Sequence, residues 1–186
     1  MDRTDPKHVI VEHLTAAPTH VSDEPASGGW RTQGSQGGFD ARPSSICFLK
    51  ERGIPGRQLH AVVFETEHGP GMQWTCEVAQ NEDGDWHVEG GAGGGGSLPD
   101  RDPLCANLGG GGWPNRFYAG GRVLDASGRA KRVQLISSNG MTLEDTVDDG
   151  WVLFLTDESV ELPVRVRLYD GAGEIINQHP LFGGSG

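Results

Sequence analysis

Residues 59–88, LHAVVFETEHGPGMQWTCEVAQNEDGDWHV, hold the pattern on which the fold class turns. Leu59–Glu67 (LHAVVFETE) reads as a buried strand. The following HGPG at 68–71 carries the proline and glycine that set a chain reversal. Met72–Val78 then alternates apolar and polar side chains with period two, the signature of a strand with one buried face. Asn81–Asp85 (NEDGD) is a second turn, after which Trp86 and Val88 alternate with His87 and Glu89. The reading is a three-stranded antiparallel meander. Its inner face is Met72, Trp74, Cys76, Val78, Trp86 and Val88, and its polar face, with Thr75, Glu77 and His87, is expected in solvent.

Outward from this stretch the chain changes character twice. Residues 90–116, GGAGGGGSLPDRDPLCANLGGGGWPNR, hold two glycine runs around a short Pro/Asp segment and predict a long irregular loop. Beyond it, short strands recur at near-regular spacing: Phe117–Leu124, Lys131–Ile136, Trp151–Leu155, Val164–Tyr169 and Glu174–Gln178, joined by the turns DASG, SSNG and DGAG. Trp151–Leu155 is apolar at every position, as befits a central strand covered on both faces. The strand order and the closing V-x-V-x-L-Y-D-x-x-G pattern at 164–173 are similar to those of immunoglobulin-like sandwiches. That resemblance implies a fold class and carries over no site residue.

The expected fold is therefore all-β, an antiparallel β-sandwich (immunoglobulin-like or related) with an irregular N-terminal arm and a long Gly-rich loop. The expected division is a flexible or extended arm over 1–45, a meander over 46–92, a Gly/Pro-rich loop over 93–116, sandwich strands over 117–182 and a disordered tail over 183–186. Within the arm, Val9-Ile10-Val11 with Leu14 suits one strand or one helical turn. The stretch SDEPASGGWRTQGSQGGFDARPSS at 22–45 has too few aliphatic side chains to offset its ordering entropy.

The 186 residues include 30 glycines and carry a net charge of −11. Lysines and arginines are too few for the basic patch that nucleic acid demands, and the same charge opposes an anionic membrane surface. Cys47, Cys76 and Cys105 are odd in number and form no CxxC or zinc-finger spacing, so a reduced compartment is expected. With no leader-like or membrane-spanning apolar run, the expected location is the cytoplasm.

Chemistry-bearing motifs are sparse. Gly91–Gly96 matches G-x-G-x-x-G by composition, but Ser97-Leu98-Pro99-Asp100 follows where a helix must open to hold a dinucleotide. Asn81, Asp83 and Asp85 alternate like calcium ligands, yet Ala92 stands where the bidentate glutamate belongs. The acidic stretch 143–161 contains Glu144, Asp145, Asp148, Asp149, Asp157, Glu158 and Glu161, with no lysine or arginine between Val133 and Val164. It reads as solvated carboxylates, with calcium or a basic partner as the other reading. No catalytic residue, metal ligand or cofactor is assigned.

The functional expectation is a non-enzymatic protein-binding or assembly module that meets its partner through the arm and the Gly-rich loop. Trp30, Phe39 and Trp113 are the candidate contact residues, because large rings in polar, glycine-rich segments make good anchors. Docking of Trp30 and Phe39 on the protein's own surface is the competing reading. A second expectation is a small enzyme with Asp100, Arg101, Asp102, Cys105 and His87 over the loop. A third is a coat-like, self-assembling subunit.

Overall fold

A computed structural model describes residues 4–17, 38–67, 69, 71–95, 104–112 and 115–182. The elements in chain order are α1 (Pro6–Thr15), a 3-10 turn (Pro43–Ser45), β1 (Cys47–Ile54), β2 (Arg57–Glu65), β3 (Gly71–Gln80), β4 (Trp86–Gly95), β5 (Cys105–Gly111), β6 (Phe117–Leu124), β7 (Arg132–Ile136), β8 (Thr142–Thr146), β9 (Trp151–Thr156), β10 (Val164–Tyr169) and β11 (Ile175–Phe182). All pairings are antiparallel. The strands form three open sheets, ordered β1-β2-β3-β4, β5-β6-β9 and β11-β10-β7-β8. The all-β reading holds, and no sheet closes into a barrel.

Three apolar clusters show how the layers stack. Val152 and Phe154 of β9 join Phe117, Val133, Val166 and Leu168 between the β5-β6-β9 sheet and the β11-β10-β7-β8 sheet. Trp151, Leu153 and Leu155 point the other way, joining Tyr118 and, from β2, Leu59 and Ala61. The β5-β6-β9 sheet is thus a middle layer buried on both faces, which is why β9 is apolar throughout. The meander and the C-terminal strands share this second cluster, so one continuous stack runs through both.

The meander's apolar stripe falls as the alternation requires, with Trp74, Cys76, Val78 and Trp86 buried and Met72 and Val88 packed beside them. What covers it is α1. Asp5 caps the helix, its carboxylate accepting the Lys7 N–H at 2.9 Å, and Pro6 follows at the first helical position. A ten-residue helix is marginal alone; here Ile10 and Leu14 are fully buried against the sheet. Residues 6–15 therefore belong to the core rather than to an extended arm. The chain re-enters beside the helix, where the Phe39 and Ala41 N–H groups donate to the Leu14 carbonyl at 3.1 and 3.0 Å.

With α1 on one face and the middle layer on the other, Thr75 and Glu77 of the meander's polar face are not in solvent, while His87 is. Thr75 and Glu77 are 1% and 3% exposed. Alternation marks which residues share a face, but says nothing of whether a second layer covers the other one. β1 and β8 were not anticipated, because both are charge-rich strands with half-exposed patterns.

Glycine-rich chain forms strand at β4 and β5, inside the stretch expected to be loop. The reason is close approach. The Trp74 indole lies across Gly91 and Gly93, and a Cβ at Gly93 would collide with the Gln73 carbonyl oxygen. A Cβ at Gly110 would collide with the Tyr118 carbonyl in the same way. Gly94, by contrast, has open space where its Cβ would stand. Gly93→Ala should therefore lower stability by about 1–3 kcal/mol through forced displacement. Gly94→Ala should leave it unchanged or raise it by about 0.4–1 kcal/mol by restricting the unfolded chain. Urea denaturation of the two neighbours checks the contrast; equal losses would mean that strand glycines act here only through chain entropy.

Candidate functional site

Stacked sheets stand roughly 10 Å apart and need side chains to fill the gap. Where β3 and β4 face β5 and β6, that filling is incomplete: the layers touch where Gly109 meets Ala92 and Gly120 meets Thr75, while Gly94 has open space where a side chain would stand. The result is a half-open cleft of about 360 Å³, at the small end of the range for ligand sites. Its neutral polar groups are Gln73, Thr75 and Asn107. Among the described residues its one cation is Arg122 of β6, whose guanidinium sits 5.9 Å from the Trp151 ring and against Gly150. The Arg122 Nε is closed off from solvent and has no hydrogen-bond acceptor among the described residues.

A second polar cluster lies beside the cleft. Arg57, 5% exposed, donates from Nε to Glu77 Oε1 at 2.8 Å and pairs again with Glu77 and with Asp157. It also donates to the Thr156 and Arg116 carbonyls at 3.1 and 3.3 Å. Burial raises the Glu77 carboxyl above the usual carboxylate range, with Arg57 and then Arg116 opposing that shift. The chain of charges continues from Arg116 to Glu89 at 3.0 Å and from Glu89 to His87 at 2.8 Å. Next to Glu77, burial pushes the Tyr118 hydroxyl up to about 12. This cluster links β2, β3, β4, β6 and the end of β9, and every charge in it is matched. Its chemistry is that of a structural clamp.

The residues singled out in the sequence are scattered. Phe39 stands edge-on to Trp74 and Phe64, with ring centroids at 4.7 and 5.5 Å, so its ring is engaged within the α1-side core. Trp30, Trp113, Asp100, Arg101 and Asp102 lie outside the described residues. Cys105 opens β5, where burial raises its thiol pKa, the opposite of what a thiolate nucleophile needs. His87 is exposed and meets Glu89 rather than Glu77 or Thr75.

The Asn81 side-chain oxygen accepts the Asp83 and Asp85 N–H groups at 3.0 and 2.9 Å, which makes the triplet a hairpin turn. The acidic stretch has distant partners. Asp145 accepts the Leu153 N–H at 2.7 Å and pairs with Lys50 at 2.8 Å, Asp148 pairs with Lys50 at 2.6 Å, and Glu144 pairs with Arg132 at 2.6 Å. Among the described residues no three His, Cys, Asp or Glu side chains converge as a metal site, and no helix is long and apolar enough to cross a membrane. Sequence reasoning missed Arg122, although the paired glycines at 120–121 directly before an arginine in an apolar strand were the available signal. Comparison with family models, curated proteins and solved structures finds no match to this chain.

Proposed function

We propose that this protein is a non-enzymatic binding module that takes an extended segment of a partner protein into the glycine-lined cleft. The observation that carries the reading is a half-open gap of about 360 Å³ between two layers whose surroundings are otherwise filled with side chains. Its walls are built from the two ends of the Gly-rich stretch, so the contact runs through the region around 90–116. The finer architecture in this reading is a β-sandwich of immunoglobulin-like kind, formed by the β5-β6-β9 and β11-β10-β7-β8 sheets. β4 and β5 are each the outer strand of their sheet. That leaves backbone donors and acceptors for a partner strand, a recurring mode of peptide capture. The negative charge favours a protein partner over nucleic acid or an anionic membrane, and the same reading places the chain in the cytoplasm.

The arm enters through residues 18–37, whose flanks meet at Ala16 and Asp40 with a 3.1 Å hydrogen bond between them. A variant in which a short linker replaces that segment joins the same two flanks. Selection from a displayed random-peptide library should enrich peptides on the wild type and not on Gly94→Phe, which fills the cleft. Enrichment that survives Gly94→Phe and is lost with the linker variant would move the contact to 18–37. Enrichment on none of the three beyond an unrelated β-protein would end the binding-module reading.

A further inference from the structure

We infer that Arg122 is the anchor of this cleft and that the group it receives is a carboxylate of the bound segment, an inference that rests on the cleft being the binding site. Arg122 stands apart from the cations around it. Arg57 and Arg116 on the one side, and Lys50 and Arg52 on the other, each have a carboxylate within 4 Å. Arg122 has none among the described residues, in a chain with 26 acidic side chains against 15 basic ones. Its Nε–H is withheld from water and has no acceptor among the described residues. Buried donors are almost always satisfied, so one left open beside a cleft is a place for an outside acceptor.

The geometry selects the acceptor. A guanidinium offers a planar fork of N–H donors that matches a carboxylate in a two-point contact. It is steadied from behind by the Trp151 ring and by Gly150, where no side chain intervenes. Among the described residues the cleft is lined by one cation, and its other polar side chains, Gln73, Thr75 and Asn107, are neutral. A single negative charge is therefore neutralised on binding, whereas a phosphate dianion would keep uncompensated charge in a molecule already at −11. The opposite wall carries Gly94, where a Cβ would stand in open space. The volume admits an acidic side chain or a chain terminus with its neighbours, and excludes a folded surface.

The test follows the Arg122 Nε–H resonance by 15N NMR at constant ionic strength. The probes are sodium acetate, inorganic phosphate, N-acetyl-Gly-Glu-Gly-amide and N-acetyl-Gly-Gly-Gly with a free C-terminus. Acetate and one of the two peptides should shift the resonance saturably, the responding peptide telling a side-chain carboxylate from a chain terminus. Titrations read on neighbouring amides should show the response abolished in Arg122→Met and in Gly94→Phe, and weakened at least tenfold in Arg122→Lys. Arg122→Lys and Gly94→Phe decide the matter should Arg122→Met fail to fold.

Three outcomes overturn the inference: phosphate binding more tightly than acetate, a response unchanged in Arg122→Lys, or no saturable shift with any probe. If the library selection still yields peptides sensitive to Gly94→Phe but without acidic groups, the cleft remains the binding site and only the carboxylate anchor falls.

Discussion

Arg57→Met should destabilise the protein by about 3–5 kcal/mol at neutral pH, the usual cost of stranding one member of a buried ion pair. The guanidinium satisfies the Glu77 carboxylate twice and also holds Asp157 and the Thr156 and Arg116 carbonyls. Without it, Glu77 keeps only the Arg116 guanidinium at 3.9 Å, from a side chain that is largely solvent-exposed. The effect has a pH signature. Glu77 is already raised above the usual carboxylate range by burial, and losing its nearest cation raises it further.

A carboxyl whose folded pKa exceeds its unfolded one favours the fold at low pH and loses that contribution as pH rises through the folded value. The penalty should therefore be larger at pH 8 than at pH 5. Urea unfolding of wild type and Arg57→Met at both values checks this. The double variant Arg57→Met/Glu77→Leu should recover most of the loss, since no buried charge is left unmatched. A single-variant penalty below about 1 kcal/mol would place the pair with weak surface bridges instead.

The second large effect is acid destabilisation through His60. The ring is fully buried beneath the α1 side of β2, edge-on to Phe48 at 5.8 Å. One ring nitrogen meets Gln58 at 3.0 Å, while Nδ1 has no hydrogen-bond partner and lies 3.9 Å from the Glu51 carboxylate. Burial drives its pKa down to about 4, with Glu51 opposing only in part.

A base depressed in the fold is neutral there while the unfolded chain takes up a proton below about 6.5. The stabilising contribution is therefore complete above that value and lost as pH falls toward 4. At about 1.4 kcal/mol per unit, the loss across this window is ~3 kcal/mol. The carboxyls held below their usual range, Glu51, Asp125 and Asp148, act at lower pH; His13, which burial also lowers, adds a loss of the same sign in this window, and Glu77, which burial raises, opposes it. His60→Leu should flatten the stability profile between pH 6.5 and 4.5, whatever its effect at pH 7. Parallel profiles for the two proteins would mean that the acid response arises elsewhere.

Much of the fold was legible in local patterns. The period-two alternation of 72–78 and 86–88, the turn residues at 68–71 and 81–85, and the uniform apolarity of 151–155 each determined a strand and its buried face. Asp5-Pro6 ahead of Val9, Ile10 and Leu14 was also a readable helix start, but ten residues have too little local energy to decide between turn and helix. The choice fell to the sheet that α1 covers.

The glycines illustrate the opposite case. By composition 90–96 and 109–112 resemble loop, because glycine costs chain entropy and offers no side chain to pack. Only once Trp74 lies over Gly91 and Gly93, and β5 presses on β6 at Gly110, does the absence of a Cβ become a requirement of the strands. The cleft is legible only at the same stage, since it is an absence shared by two layers.

What the sequence by itself determined, then, was the all-β class, most strand positions and the faces they bury, because these depend on neighbours one or two residues away. The tertiary structure decided what lies on those faces. It placed Lys50, Arg52, Arg57 and Arg132 among carboxylates that have no nearby cation along the chain, turned Glu77 from a solvated residue into a buried clamp, and left Arg122 without a carboxylate among the described residues. Charge pairing and burial depend on distance in space, and strands roughly 100 residues apart become neighbours only when the layers close.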